Sequence, residues 1–415
     1  MLKKITVLLS ACLLSACVQQ DRPVFWRGES PAPEETTVAP PTVAIVLPLS
    51  GESGSVGNSL KDAALMAAFE HPKTPAKVLF FDTESTPAGA EQAYRWALAQ
   101  RPDIVLGPVF SKEVAAIKNA GVSVPLLTFS SDTTLMTPQV ATMAVTVPEQ
   151  IRQMVRHACS SNQKRLAVLG PDSKTGEIAM NALAEEIQTC PGMNLKKVSF
   201  YDAKTMNFTN AVKKILPASV DSSDKDKSAP QLSMSQRAGI DAIILFEEGI
   251  KLRQLLSILA FYDAGARDIP VYGLTVVKQI NDNNASYVYY ADLDETNYRN
   301  FSREYQNQFG RAPIRIASQM YDAMGWILSE AAAGRPVRLA DLQTRPSYWG
   351  VDGLVRLNED GTNRRSLQLR QKRAKSAILI EPAESSFDDR ASVGWNTFRM
   401  PTTESVDLAS EFPEE

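Results

Sequence analysis

Val43 to Glu70 reads VAIVLPLSGESGSVGNSLKDAALMAAFE. Its first five residues form an apolar, β-branched run suited to a buried parallel strand. After Pro48 a loop holding Gly51, Gly54 and Gly57 opens a segment with Leu60, Ala63, Ala64, Ala67 and Ala68 at helical spacing. A strand, a glycine loop and a helix are the opening unit of an open α/β sheet, in which ligands sit beyond the carboxyl ends of the strands. The glycines are spaced G-x-x-G-x-x-G, which is neither the dinucleotide fingerprint nor a P-loop, so the loop reads as a cleft wall and not a nucleotide cradle.

The chain beyond this unit repeats the pattern. Strand-like runs at Lys77 to Asp82, Ile104 to Leu106, Pro125 to Phe129 and Ala141 to Val145 alternate with helical stretches such as Ala88 to Gln100 and Ser111 to Ala120. A second series follows a helix at Glu149 to Cys159. Its strands are Arg165 to Leu169, Lys196 to Tyr201, Ile240 to Phe246 and Pro270 to Gly273, and its helices are Gly176 to Thr189, Phe208 to Leu216 and Ile250 to Ala264. The alternation predicts two parallel-sheet lobes. Between Pro217 and Ser235 the polar PASVDSSDKDKSAPQLSMS reads as a mobile insertion. Helices are expected over Thr296 to Phe309 and Ile316 to Ala333. A β-rich piece follows, Gly353 to Leu357 and Leu367 to Ile380, with Asp360-Gly361 as a hairpin turn.

Composition limits the function. At 415 residues, 44% of them hydrophobic, the chain has length for two or three domains with ordinary cores. A net charge of -3 gives no general attraction to nucleic acid. The two histidines, His71 and His157, stand in unrelated contexts and nucleate neither a zinc cluster nor a serine triad. No G-x-S-x-G surrounds a serine, so no enzyme, metal or cofactor is expected.

The amino terminus reads as an export signal. Lys3 and Lys4 precede an apolar run from Ile5 to Leu14, shorter than the roughly 20 residues that span a bilayer. It ends in Leu14-Ser15-Ala16-Cys17, which resembles the lipobox of bacterial lipoproteins. That resemblance implies cleavage after residue 16, lipidation of Cys17 and a membrane anchor. With Val18 after the cysteine, it also implies sorting to the outer membrane of a Gram-negative bacterium. Residues 17–41, rich in Pro, Glu and Thr, read as a tether, and residues 383–415 as a flexible acidic tail. Cys159 and Cys190 lie at the ends of two consecutive predicted helices flanking one strand, in a compartment that permits disulfides. A bridge between them is expected, although the Cα separation it needs is not a property of the sequence.

Eight stretches, IVLPLSGESGSVGNSLKDAALMA, FFDTESTPAGA, IVLGPVFSKEV, VPLLTFSSD, RLAVLGPDSKTGE, DAIILF, IPVYG and WGVDGLVRLNEDG, resemble in order the type I periplasmic-binding-protein family, which includes branched-chain amino-acid receptors. The likeness extends to lipoproteins of the penicillin-binding-protein activator (LpoA) type. From them the chain departs in carrying the tether where they carry a helical-repeat domain. The resemblance implies two Rossmann-like α/β lobes over 42–382, joined by three crossovers with a cleft between. Lobe 1 is expected at about 42–147 and 274–336, and lobe 2 at about 148–273 and 337–382.

It also implies cleft positions. Ser111, Ser130, Ser131 and Asp132 stand where the receptors hold a ligand carboxylate, with Asp132 replacing a hydroxyl, and Ser50 is a further expected cleft position. An acid there argues against an anionic ligand; a helix N-cap is its other reading. Thr175 stands where the receptors often have a tyrosine, and Thr275 near their acidic residue, so the amino-acid clamp is incomplete. Glu247, with Glu248, would form an acidic wall for an amine. Two functions are expected from this pattern. The first is an outer-membrane lipoprotein that binds and activates a peptidoglycan synthase, a penicillin-binding protein. The alternative is a solute receptor feeding an ABC permease with a small polar or amino-acid-like ligand.

Overall fold

The computed structural model describes residues 40–216, 233–387 and 393–394. The opening unit folds as β1 (Thr42–Leu47) and α1 (Gly54–Phe69). Val43, Ile45 and Leu47 face one side of the sheet and Ala44 and Val46 the other, all fully buried, as period-2 alternation in a doubly covered strand requires. The helix begins within the expected glycine loop, so only Gly51, at φ +77°, is a loop glycine. Gly57 serves packing instead: a Cβ there would sit 2.0 Å from the Pro48 carbonyl oxygen. The absence of a side chain is what lets α1 press onto the end of β1.

The first lobe continues with β2 (Lys77–Asp82), α2 (Pro87–Ala99), β3 (Ile104–Leu106), α3 (Ser111–Ala120), β4 (Leu126–Thr128) and β5 (Val140–Thr142). Thr86 caps α2 by accepting from the Gly89 amide at 2.9 Å, with Pro87 at the first helical position. The strands form an all-parallel sheet in the order β2-β1-β3-β4-β5.

The second lobe opens with α4 (Val147–Ser160), β6 (Arg165–Asp172), α5 (Lys174–Glu186), β7 (Asn194–Asp202), α6 (Thr209–Ile215), α7 (Met234–Ala238), β8 (Ala242–Leu245), α8 (Gly249–Phe261), β9 (Val271–Gly273) and β10 (Tyr289–Asp292). The chain then returns to lobe 1 as α9 (Thr296–Phe309), α10 (Ala317–Ala332), α11 (Leu339–Gln343), β11 (Tyr348–Gly350), β12 (Gly353–Leu357) and β13 (Asn363–Arg365). It crosses again to lobe 2 as β14 (Gln368–Lys372) and β15 (Ala377–Glu381), and ends in β16 (Val393–Gly394). The second sheet runs β15-β14-β10-β9-β8-β6-β7, with β14 antiparallel to both its neighbours and the other strands sharing one direction.

Several expected boundaries shift. Residues 274–292 belong to lobe 2, because β10 pairs with β9 and Val277, Val288 and Tyr290 share its core. Residues 337–357 belong to lobe 1, where Leu339, Leu342, Tyr348 and Val355 pack with β1 and α10. There the buried rings of Trp326 and Tyr348 stack, with centroids 5.5 Å apart. The hairpin partner of β12 is β13 and not the run from Leu367, which crosses to lobe 2. The last three residues of the expected insertion, 233–235, begin a helix instead. Residues 217–232 lie outside the described residues, and Ser233 caps α7 in a capping box with Gln236. The signal segment, Cys17 and the tether through residue 39 also lie outside them. Among the described residues no helix is long and apolar enough to cross a membrane.

The tail is not wholly free. Glu384 bonds Arg156 and Arg364, the Phe387 ring lies under Arg364 and Arg356, and β16 pairs in parallel with β11. In lobe 2, Cys159 and Cys190 form a disulfide with Cα atoms 5.9 Å apart.

Three crossovers, at 143–147, 292–296 and 365–368, join the lobes. One apolar residue from each, Val145, Leu293 and Leu367, packs with Ala291 into a small core of its own. Polar bonds fill the space around it. Asn363 Nδ2 donates to the Thr142 and Ala144 carbonyls at 2.8 Å each, and Gln368 Nε2 donates to the Leu293 carbonyl at 2.7 Å. Arg365 Nε donates to the Met143 carbonyl at 3.0 Å, and its amide to Glu149 at 3.0 Å. Next to this seam lies a buried charge cluster. Asp322 on α10 accepts from the amides of Val351 and Asp352, and Asp352 pairs with Arg315 at 2.8 Å. Burial first, and then the Asp352 carboxylate, pushes the Asp322 carboxyl up to about 8, with the Val351 amide and Arg365 pulling the other way.

Candidate functional site

The crossovers leave the carboxyl ends of the strands, and there the two sheets approach one another. The contact is an ion pair. Lys174 Nζ, at the start of α5 in lobe 2, lies 2.8 Å from Asp132 Oδ2, in the loop after β4 in lobe 1. Asp132 also caps a short 3-10 turn, accepting from the Thr134 amide at 3.2 Å and the Thr134 hydroxyl at 2.7 Å. Burial works against its charge, but the bond to Lys174 and those from Thr134 hold its carboxyl below the usual range. The expected repulsive acid is therefore a cap and an interlobe partner together.

The loops of lobe 1 are tied from beneath by two carboxylates. Asp82, the last residue of β2, accepts from the amides of Leu49 at 2.9 Å, Ser50 at 3.1 Å and Glu84 at 2.8 Å. Burial is offset by the Ser50 hydroxyl and these amides, which hold Asp82 below its ordinary value. The exposed Ser50 is further engaged through its carbonyl, which accepts from the Ser85 hydroxyl at 2.7 Å. Glu113, in the first turn of α3, is buried and accepts from the Thr83 hydroxyl at 2.6 Å and the Phe110 amide at 3.5 Å. Burial pushes its carboxyl up against those hydrogen bonds. A carboxyl group of the chain itself thus lies beside the helix start where a ligand's anion would sit.

The remaining expected residues divide into two groups. Ser111, Ser131 and Thr175 are exposed at the ends facing the other lobe. Ser130 is buried, its hydroxyl accepting from the Asp132 amide at 3.3 Å and its carbonyl from the Thr142 hydroxyl at 2.7 Å. Glu247 is buried as well: Tyr201 donates to its Oε2 at 2.9 Å and the Glu248 amide to its Oε1 at 3.1 Å, while Glu248 is exposed. Burial, followed by the Glu247 charge, raises the Tyr201 phenol. Thr275 is removed from the site, since its amide and hydroxyl donate to Gln150 Oε1 at 2.8 and 2.9 Å within lobe 2. Sequence reasoning missed Lys174, Asp82, Glu113 and Gln150. The first three lie inside quoted stretches, and the position of Glu113 three residues after the turn at Phe110 is the pattern that marks an inward-folded acid at a helix start.

This arrangement agrees with what the chain resembles. The family model described as "Periplasmic binding protein" matches residues 40–342. A putative branched-chain amino acid ABC transporter from Rhodospirillum rubrum aligns with TM-score 0.66 and 18% identity, covering 82% of this chain and all of that one. The substrate-binding protein LivJ from Streptococcus pneumoniae, solved with isoleucine, aligns at TM-score 0.52 and 16% identity over 83% of this chain and 100% of its own. At these identities the likeness speaks of fold. In sequence, 157 residues are 28% identical to the penicillin-binding protein activator LpoA of Photobacterium profundum, covering 37% of this chain and 25% of that protein. The matched segment is about a quarter of the relative's length. With a family model spanning well over half of its residues and both sheets arranged as described, the chain belongs to the periplasmic binding protein family and has its type I fold.

Proposed function

We propose that this chain is an outer-membrane-anchored lipoprotein that binds and stimulates a peptidoglycan synthase, its two-lobed domain acting as an interaction module and not as a transport receptor. The observation that carries this reading is the occupation of the amino-acid clamp by internal bonds. Glu113 fills the start of α3, Thr275 is spent on Gln150, and Asp132 is paired with Lys174 across the lobes. A receptor that binds and releases solute needs its clamp groups unspent. The similarity to a penicillin-binding protein activator supports the identity of the partner class, and the lipobox at Leu14 to Cys17 supports the anchor.

The test is glycan-strand synthesis by a purified penicillin-binding protein with and without the purified chain, together with membrane fractionation and photo-crosslinking from the lobe surfaces. Stimulation and a synthase adduct from the outer membrane are expected. No stimulation, with a permease captured at the inner membrane, would overturn the reading. A second reading rests on one observation, the exposed Ser111, Ser131 and Thr175 on facing loops in a fold whose similar structures are transporter binding proteins. On that reading the chain is a solute receptor, and amino acids would raise its melting temperature.

A further inference from the structure

At the pole of lobe 2 away from the cleft, the start of β10, the loop after α8 and the turn between β14 and β15 enclose an open cavity of about 520 Å³. Its size is that of a small-ligand pocket. Tyr287 forms its centre. The guanidinium of Arg267 lies over the Tyr287 ring at 4.8 Å from the centroid and that of Arg373 at 4.3 Å, so the two cations are within about a Debye length of each other. Neither is in an ion pair with a carboxylate among the described residues. Stacking on an aromatic face fixes the plane of a guanidinium and leaves its N–H edge free to meet a planar or tetrahedral oxyanion.

The backbone supports this placement at some cost. Tyr287 has φ +75°, an uncommon conformation for a residue with a side chain. It is held by its amide, which donates to the Lys372 carbonyl at 2.7 Å, and by Gln371 Nε2, which donates to its carbonyl at 3.1 Å. Arg373 is fixed in turn by its amide bond to the Ser376 carbonyl. The rest of the wall is polar: Asn283, Asn284 and Asp268 line the same cavity. Asn284 is oriented by its bond to the Ser257 hydroxyl at 3.1 Å. Amides and one carboxylate beside two cations are complementary to a ligand with an oxyanion at one end and hydroxyls at the other.

We propose that this pocket is a second binding site, separate from the cleft, for a small hydroxylated ligand bearing a phosphate or comparable oxyanion. Arg267 and Arg373 grip the oxyanion, and Asp268 and the two asparagines take the hydroxyls. The group is carried either by a soluble molecule or by a lipid headgroup, and the proposal does not depend on what the cleft or the synthase does.

The experiment is titration calorimetry of the full chain at low salt with glucose 6-phosphate and with glucose, alongside sedimentation with phosphatidylglycerol vesicles. Glucose 6-phosphate is expected to bind about tenfold or more tightly than glucose, with affinity falling as salt rises. The Arg267→Gln/Arg373→Gln variant is expected to lose that binding while its melting temperature stays near that of the parent. Vesicle binding without sugar-phosphate binding, abolished by the same double variant, would assign the oxyanion to a lipid. The proposal is overturned if neither probe binds, or if the double variant binds as the parent does.

Discussion

The hinge and the mouth of the cleft join the same two lobes by opposite means. At the hinge, three crossovers share a small apolar core, and side chains of Asn363, Arg365 and Gln368 bond backbone carbonyls of neighbouring segments in buried surroundings. At the mouth, the connection among the described residues is an ion pair whose lysine side chain is 56% exposed. A buried bond to a charged group is lost at a cost of several kcal/mol, whereas an exposed ion pair contributes about 0–1 kcal/mol. The molecule is therefore committed at one edge and loosely fastened at the other, which is the energetic profile of a part that opens.

The comparison can be broken most severely at Arg365. Arg365→Ala removes a fully buried guanidinium that bonds the Met143 carbonyl and faces Asp322 and Asp352, leaving Asp352 with Arg315 as counter-charge, and about 3–5 kcal/mol of unfolding free energy is expected to go in urea denaturation. A loss below about 1 kcal/mol would place the hinge on a par with the mouth. Leu367→Ala should cost about 2–4 kcal/mol, since it empties the middle of the crossover core.

The charge cluster beside the hinge makes the third prediction. Asp322 keeps its proton in the folded chain up to about pH 8, while the unfolded chain releases it near the ordinary carboxyl value. Between those values the folded state binds more protons. Its contribution is thus whole at acid pH and declines as pH rises toward 8. Asp322→Asn should flatten that decline in melting experiments across the same window. An unchanged pH profile would show that the carboxyl is already ionised in the fold.

The smallest effect on stability is expected at the mouth. Lys174→Ala should cost less than about 1 kcal/mol, yet increase the radius of gyration in solution scattering as the lobes part. High salt should do the same to the parent chain and nothing further to the variant. A variant as compact as the parent would mean that the hinge alone sets the cleft width.

Much of this architecture is legible in the sequence because burial writes it there. The doubly covered strands β1, β3 and β8 are continuous apolar runs, and α1 shows its buried face by spacing, whereas α10 is buried almost all round, Ser318, Gln319, Asp322 and Glu330 included. What the sequence hides is contact between distant segments. Tyr289 to Asp292 carries too many polar atoms to advertise a strand, and it is one because β9 and β14 flank it. The site suffered likewise. Ser111 and Asp132 are marked by the family resemblance, but that Glu113 turns inward to Thr83 and that Thr275 is consumed by Gln150 depends on partners 30 and 125 residues away. Lys174 matters only because the two lobes approach, and no local pattern encodes that.

The segment after β15 changes what kind of joint this is. The chain leaves the second sheet at Glu381. Glu384 touches Arg156 of one lobe and Arg364 of the other, and β16 ends alongside β11 in the first. Described residues on this segment thus touch both lobes. A door hung on three pins swings freely, but one with a latch across its edge must first release it. For a partner resting on both lobes, a wider gap would then require the contacts of Glu384 and β16 to break.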